Sequence, residues 1–159
     1  MSVEGAFARV SPELLEEVRG VPGEAYARIV EGVDAADRLD LEGTYAGLAV
    51  LMEAEHFAVN PITSGVPYPD DVARWGALEQ SRSLTVAQVG EAAAALRNVP
   101  FEKLARHRYF LAAKEQRPRP YDEDALDSHL DELGRFYPGL VEFFGTAARN
   151  GQCTIFWTA

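Results

Sequence analysis

The sequence predicts an α+β domain, mainly helical, with a small sheet of short strands that includes the N- and C-terminal segments. Three observations predict it. Apolar residues recur at helical spacing through most of the chain, most clearly at Val86, Val89, Ala93 and Leu96. Short apolar runs without that spacing occupy both ends, around Phe7 and Val10 and from Cys153 to Trp157. Between them no regular strand–helix–strand alternation occurs, which argues against a parallel sheet. A length of 159 residues is near the commonest size of one domain, so residues 1–159 are read as a single unit.

Taken in order, Ser2 to Val10 reads as an edge strand. Ser11-Pro12-Glu13 then supplies a capping hydroxyl, a proline at the first helical position and an acid in the first turn. Leu14, Leu15 and Val18 give that helix its apolar face and Gly20 ends it. A second helix is expected from Glu24 to Glu31 with Tyr26, Ile29 and Val30 inward, and a third from Leu41 to Phe57. The connection from Asn60 to Trp75 contains Pro61, Gly65, Pro67 and Pro69, which disfavour helix and central strand. Long ordered loops often carry function, so this one is the loop candidate for a site.

Arg82 to Leu84 reads as a short strand, and Thr85 caps the helix Val86 to Arg97. Pro100 starts a further helix, Phe101 to Lys114, using Leu104, Tyr109, Phe110 and Leu111. Asp122 or Asp124 opens a helix that Pro138-Gly139 interrupts, another runs through Val141, Phe144 and Ala148, and Gln152 to Trp157 is the last strand. The total is about seven helices and two or three strands around one shared apolar interior.

Several of these segments, in this order, resemble the YfbM-like family of small bacterial proteins. They are Met1-Ser2-Val3-Glu4-Gly5 through Val10-Ser11-Pro12, Leu39-Asp40-Leu41, Pro61-Ile62 to Gly65, Trp75-Gly76 followed by Arg82-Ser83-Leu84-Thr85, and Phe143-Phe144 to Ala148 and Gly151. The resemblance covers nearly the whole chain. It implies a mainly helical α+β fold and supplies no reaction, because the family has no assigned molecular function. It also implies an aromatic–histidine pair in the third helix and a second histidine three residues later, where this chain has Tyr45, Ala46 and Ala49.

Composition narrows the function classes. A net charge of −10 disfavours nucleic acid and anionic membrane as partners. No apolar stretch reaches membrane-spanning length, and the N-terminus lacks a signal-peptide pattern. The one cysteine, Cys153, permits no intrachain disulfide and reads as a small buried hydrophobe, which together point to the cytoplasm. Thirteen arginines against two lysines suggest a GC-rich bacterial source.

Charge is unevenly placed. Lys103 to Arg119 carries a net +5 and the remainder −15. The structural explanation is a basic element packed across acids such as those from Asp122 to Asp131; the functional one is an anion site. Glu53-Ala54-Glu55-His56 has the Glu-x-x-His spacing of di-iron bundles, without the second copy such a site needs. No nucleophile elbow, phosphate loop, dinucleotide fingerprint or zinc-protease motif occurs, so no cofactor, metal or catalytic residue is assigned.

These readings leave a small non-catalytic binding or interaction protein as the first expectation, with an unknown protein or small-molecule partner. Tyr68 and Trp75 in the loop are its contact candidates. The alternative is a hydrolase or transferase acting on an anionic small molecule, with Arg106, His107 and Arg108 converging near Tyr45. Tyr45, Tyr68, Trp75, Arg82, Arg106, His107 and Arg108 thus form the candidate ligand-binding set. The chain is expected as a monomer, or as a homodimer if its C-terminal strand lies at a sheet edge.

Overall fold

The two chain ends lie side by side in the computed structural model, which describes residues 3–67, 80–115 and 123–158. β1 (Gly5–Val10) pairs antiparallel with β5 (Cys153–Thr158) along its whole length, with Phe7 opposite Phe156. β2 (Arg38–Glu42) flanks β1 on the other side. β4 (Gln80–Leu84) flanks β5, and the two-residue β3 (Val66–Pro67) adds to β4. One antiparallel sheet results, in the order β2-β1-β5-β4-β3.

Period-two alternation divides this sheet into two faces. Phe7 and Phe156 face α2 (Tyr45–Ala54), α3 (Val86–Asn98) and α6 (Glu123–Arg149). Ala8, Val10, Cys153, Ile155 and Trp157 face the opposite side, where α1 (Pro12–Arg19) and the turns after it supply Leu15, Val18, Ala25, Ile29 and Val30. The apolar interior is therefore two clusters divided by a sheet rather than one shared cluster. All six residues of β5 are buried, which is why its sequence reads as a continuous apolar run.

Local signals account for much of this. Ser11 accepts a hydrogen bond from the Leu14 amide and starts α1. Thr85 and Gln88 cap α3 reciprocally, each side chain accepting from the other's backbone amide. The chain is mainly helical α+β, as expected, but six of its elements differ from the sequence reading.

β1 is an interior strand, because β2 covers its outer side. β2 itself replaces the expected start of the third helix: Leu39 and Leu41 alternate with Arg38, Asp40 and Glu42, and α2 begins only at Tyr45. The expected helix Glu24–Glu31 is a 3₁₀ turn (Pro22–Glu24) followed by a π-helix (Tyr26–Glu31), with Tyr26 exposed instead of inward. The helix expected from Phe101 to Lys114 is two, α4 (Phe101–Ala105) and α5 (Arg108–Glu115), leaving Tyr109 and Phe110 exposed.

α6 runs unbroken through Pro138 for 27 residues. An internal proline costs about 3 kcal/mol. Against it stands a stripe of Leu126, Leu130, Leu133, Tyr137, Leu140, Phe144 and Ala147, all buried on one face. At about 1.5–3 kcal/mol per fully buried large side chain, the stripe outweighs the lost hydrogen bond and holds both halves in line. Finally, β5 is the central strand, with both its edges occupied. It offers no edge for pairing between copies.

Tyr137 sits in the middle of that stripe and donates its hydroxyl to Val99 O at 2.7 Å. Burial disfavours the phenolate and pushes its pKa up from 10.0 to about 12. The unfolded chain therefore loses this proton first. The stability contribution is intact below about pH 10 and is lost as pH rises toward about 12. In a spectrophotometric titration of the six tyrosines, a late component is expected that Tyr137→Phe removes; its persistence in that variant would contradict the assignment.

Candidate functional site

α2 turns one face to a cleft. Tyr45, Ala46, Ala49, Val50 and Glu53 lie along that face, at the spacing that one side of a helix requires. The Tyr45 ring can approach β1 because residue 5 is glycine. A Cβ there would lie 2.7 Å from Tyr45 Cγ and 2.9 Å from Phe156 Cζ. The ring instead settles 5.8 Å from the Phe156 centroid.

The second wall is the segment after α2. Asn60 shapes it: its side-chain amide donates to Ala49 O, its side-chain carbonyl accepts from the Ile62 amide, and its own amide donates to Ser64 Oγ. Ile62 and Thr63 are thereby presented to the cleft. The sheet supplies the third wall with Arg82 from β4 and Phe156 and Thr158 from β5; Arg82 is the register partner of Phe156. The cleft encloses about 330 Å³.

Its electrostatics are simple. Arg82 Nη1 donates to Gly65 O at 3.0 Å, which fixes the guanidinium; among the described residues its other donors make no hydrogen bond. Among the described residues neither Arg82 nor Glu53 takes part in an ion pair. The hydroxyl-bearing residues Tyr45, Thr63 and Thr158 line the same space.

Of the seven candidates, Tyr45 and Arg82 come together in this cleft. Arg106, His107 and Arg108 lie apart from it and do not line this cleft. Arg106 is exposed at the end of α4. His107 Nε2 lies 2.7 Å from Glu55 Oε2, and Lys103 Nζ lies 3.3 Å from Glu55 Oε1. Arg108 pairs with Asp127 and, at 3.0 Å, with Glu123. Lys103, His107 and Arg108 of the basic segment thus pair with acids. That pairing also explains the break between α4 and α5, since His107 is drawn to the end of α2. Tyr68 and Trp75 lie outside the described residues.

The Glu55 pair makes a pH prediction. Its hydrogen bond to His107, reinforced by Lys103, holds the Glu55 carboxyl below the usual carboxylate range. A depressed pKa contributes stability that is present above that range and is lost as pH falls through the lowered value. Glu55→Gln should therefore melt below the wild type at neutral pH, with the gap closing in acid. A gap that is constant with pH would contradict it.

The Glu-x-x-His spacing does not sit on one helix face. α2 ends at Ala54, and His56 adopts the left-handed conformation with φ of 62°. Among the described residues no group of three or more metal-ligating side chains converges. Cys153 is buried, and desolvation pushes its thiol pKa up. No helix among the described residues is long and apolar enough to cross a membrane. Sequence reading missed Glu53, Thr63 and Thr158 as cleft residues. Glu53 stands at helical spacing from Tyr45 and was readable as its neighbour, whereas Thr158 falls one residue beyond the expected end of β5.

Comparison with known proteins bears on the fold. No curated protein matches the chain. The crystal structure of a protein of unknown function, YfbM from Escherichia coli, superposes with a TM-score of 0.68 at 10% sequence identity, covering 98% of this chain and 99% of that one. The two share an architecture across their whole lengths. The family model for a domain of unknown function, DUF1877, matches residues 1–157. The chain therefore belongs to the DUF1877 family, in agreement with the YfbM-like resemblance read from its segments.

Proposed function

We propose that this chain is a small non-catalytic binding protein of the bacterial cytoplasm, and that its ligand site is the cleft between α2 and the sheet. One observation carries the reading. The cleft combines the fixed guanidinium of Arg82, the hydroxyl-bearing Tyr45, Thr63 and Thr158, and the acid Glu53 with the apolar Ala46, Ala49, Val50, Ile62 and Phe156. Concave, largely apolar spaces with a few convergent polar groups are where small ligands bind. The two alanines stand where the family resemblance leads one to expect histidines, so the wall here offers shape in place of proton transfer. None of His56, His107 and His129 lines it. The bacterial setting is supported by the Escherichia coli neighbour and the cytoplasmic one by a lone, buried thiol.

The competing reading, a hydrolase or transferase acting on an anionic small molecule, draws support from Arg82 alone. A thermal-shift screen against small metabolites separates the two. A ligand at about a hundredfold its Kd adds about 2.7 kcal/mol of stability, or roughly 5–10 °C in Tm for a chain of this size. That shift is expected to vanish in Tyr45→Ala and Arg82→Ala, with the ligand recovered unchanged. A stabilising compound that acts equally on both variants would place the site elsewhere, and one recovered as product would make the chain an enzyme.

A further inference from the structure

Resting on that reading of the cleft, the geometry points to a zwitterionic ligand of the α-amino-acid class, with one carboxylate, one ammonium and an apolar side group. Arg82 rises from the sheet and is held at Gly65 O. Its other N–H donors, which make no hydrogen bond among the described residues, match a carboxylate, to which guanidinium binds in bidentate fashion. Glu53 stands on the helix wall of the same cleft, outside any described ion pair, and offers the complementary partner for an ammonium group.

The two charges cancel, and that decides the class. A phosphate or other multiply charged anion would meet Arg82 but also Glu53, inside a protein whose net charge is −10. A simple cation would meet the reverse arrangement. A zwitterion satisfies both side chains and carries no net charge into the field of the protein. The same cleft is also lined by Ala46, Ala49, Val50, Ile62 and Phe156, an apolar lining that suits an apolar side group. The volume, about 330 Å³, lies at the low end of small-molecule sites; it suits one such molecule and is too small for a dinucleotide.

Isothermal titration with the proteinogenic amino acids tests this directly. At least one is expected to bind. Its N-acetyl derivative, which lacks the ammonium, and its amide, which lacks the carboxylate, should each bind at least about tenfold more weakly. Glu53→Gln should abolish the discrimination against the N-acetyl form, and Arg82→Lys, which keeps the charge but loses the fork, should weaken the parent compound. Both side chains reach solvent at the cleft, so matching Tm values for the unliganded variants serve as the folding control. Equal binding of amino acid and N-acetyl derivative overturns the zwitterion class. If neutral or anionic compounds bind in a Tyr45-dependent way and amino acids do not, the class is wrong and the binding role stands. If no compound of any class binds, both fall.

Discussion

Phe7→Ala is expected to cost about 3–5 kcal/mol of folding stability. Phe7 is fully buried on β1 and is the hub of an aromatic cluster. Its ring lies 4.9 Å from Phe156, 5.9 Å from Phe143, and 5.4 Å from Phe144 at an interplanar angle of 89°. The edge-to-face geometry adds to what burial alone contributes. These four rings join β1, β5 and α6, the elements that bring the two chain ends together. Truncation would open a cavity there that neither a strand nor a 27-residue helix can collapse into. Against a total of about 5–15 kcal/mol, the loss is a large share. Thermal unfolding should show a fall of roughly 6–20 °C, while Phe110→Ala on the exposed face of α5 should stay within about 0.5 kcal/mol. A Phe7→Ala variant that melts with the wild type would show that the ring cluster is not the centre of this face.

Gly65→Ala should damage stability and ligand binding together. Gly65 has φ of +90°, where an L side chain is strained, and a Cβ there would lie 2.2 Å from the carbonyl oxygen of Ser83. That oxygen belongs to β4 and cannot give way without moving the strand. Backbone strain of about 1–3 kcal/mol adds to about 1–3 kcal/mol of overpacking. The carbonyl of Gly65 also fixes Arg82, so any relief of the clash displaces the guanidinium from the cleft. Gly43→Ala, with nothing within 4 Å of the added carbon, is the matched control and should be close to neutral. Loss of Tm with full retention of ligand affinity would break the proposed link between this turn and the site.

Interactions encoded within a few residues were readable from the sequence. The caps at Ser11 and Thr85 and the buried run of β5 are of this kind, and the structure contains each of them. What escaped depends on partners distant in the chain. The break at Arg106-His107 reflects a pair with Glu55, fifty-two residues away, and no local breaker marks it. Pro138 looked like a terminator because its cost is local while the compensating burial comes from α3, α4 and the sheet. β2 was missed for a different reason: Leu39 and Leu41 fit the start of a helical pattern as well as a strand, and only pairing with β1 selects the strand.

The site followed the same division. Tyr45 and Arg82 were picked out as residue types, yet their meeting depends on the register that sets Arg82 opposite Phe156 and on the close approach that Gly5 allows. The basic trio drew notice through local charge density. Glu55 just beyond α2 and two acids of α6 answer that density at His107 and Arg108.

The most direct measurement is an amide chemical-shift titration of the folded chain with the amino acid that binds tightest in calorimetry. Saturable shifts are predicted at Ala46, Ala49, Thr63 and Thr158, absent in Arg82→Ala. Shifts gathered instead on the groove between α3 and α6, around Gly90 and Gly145, or on Arg106 to Arg108, would contradict the assignment of the cleft as the binding site.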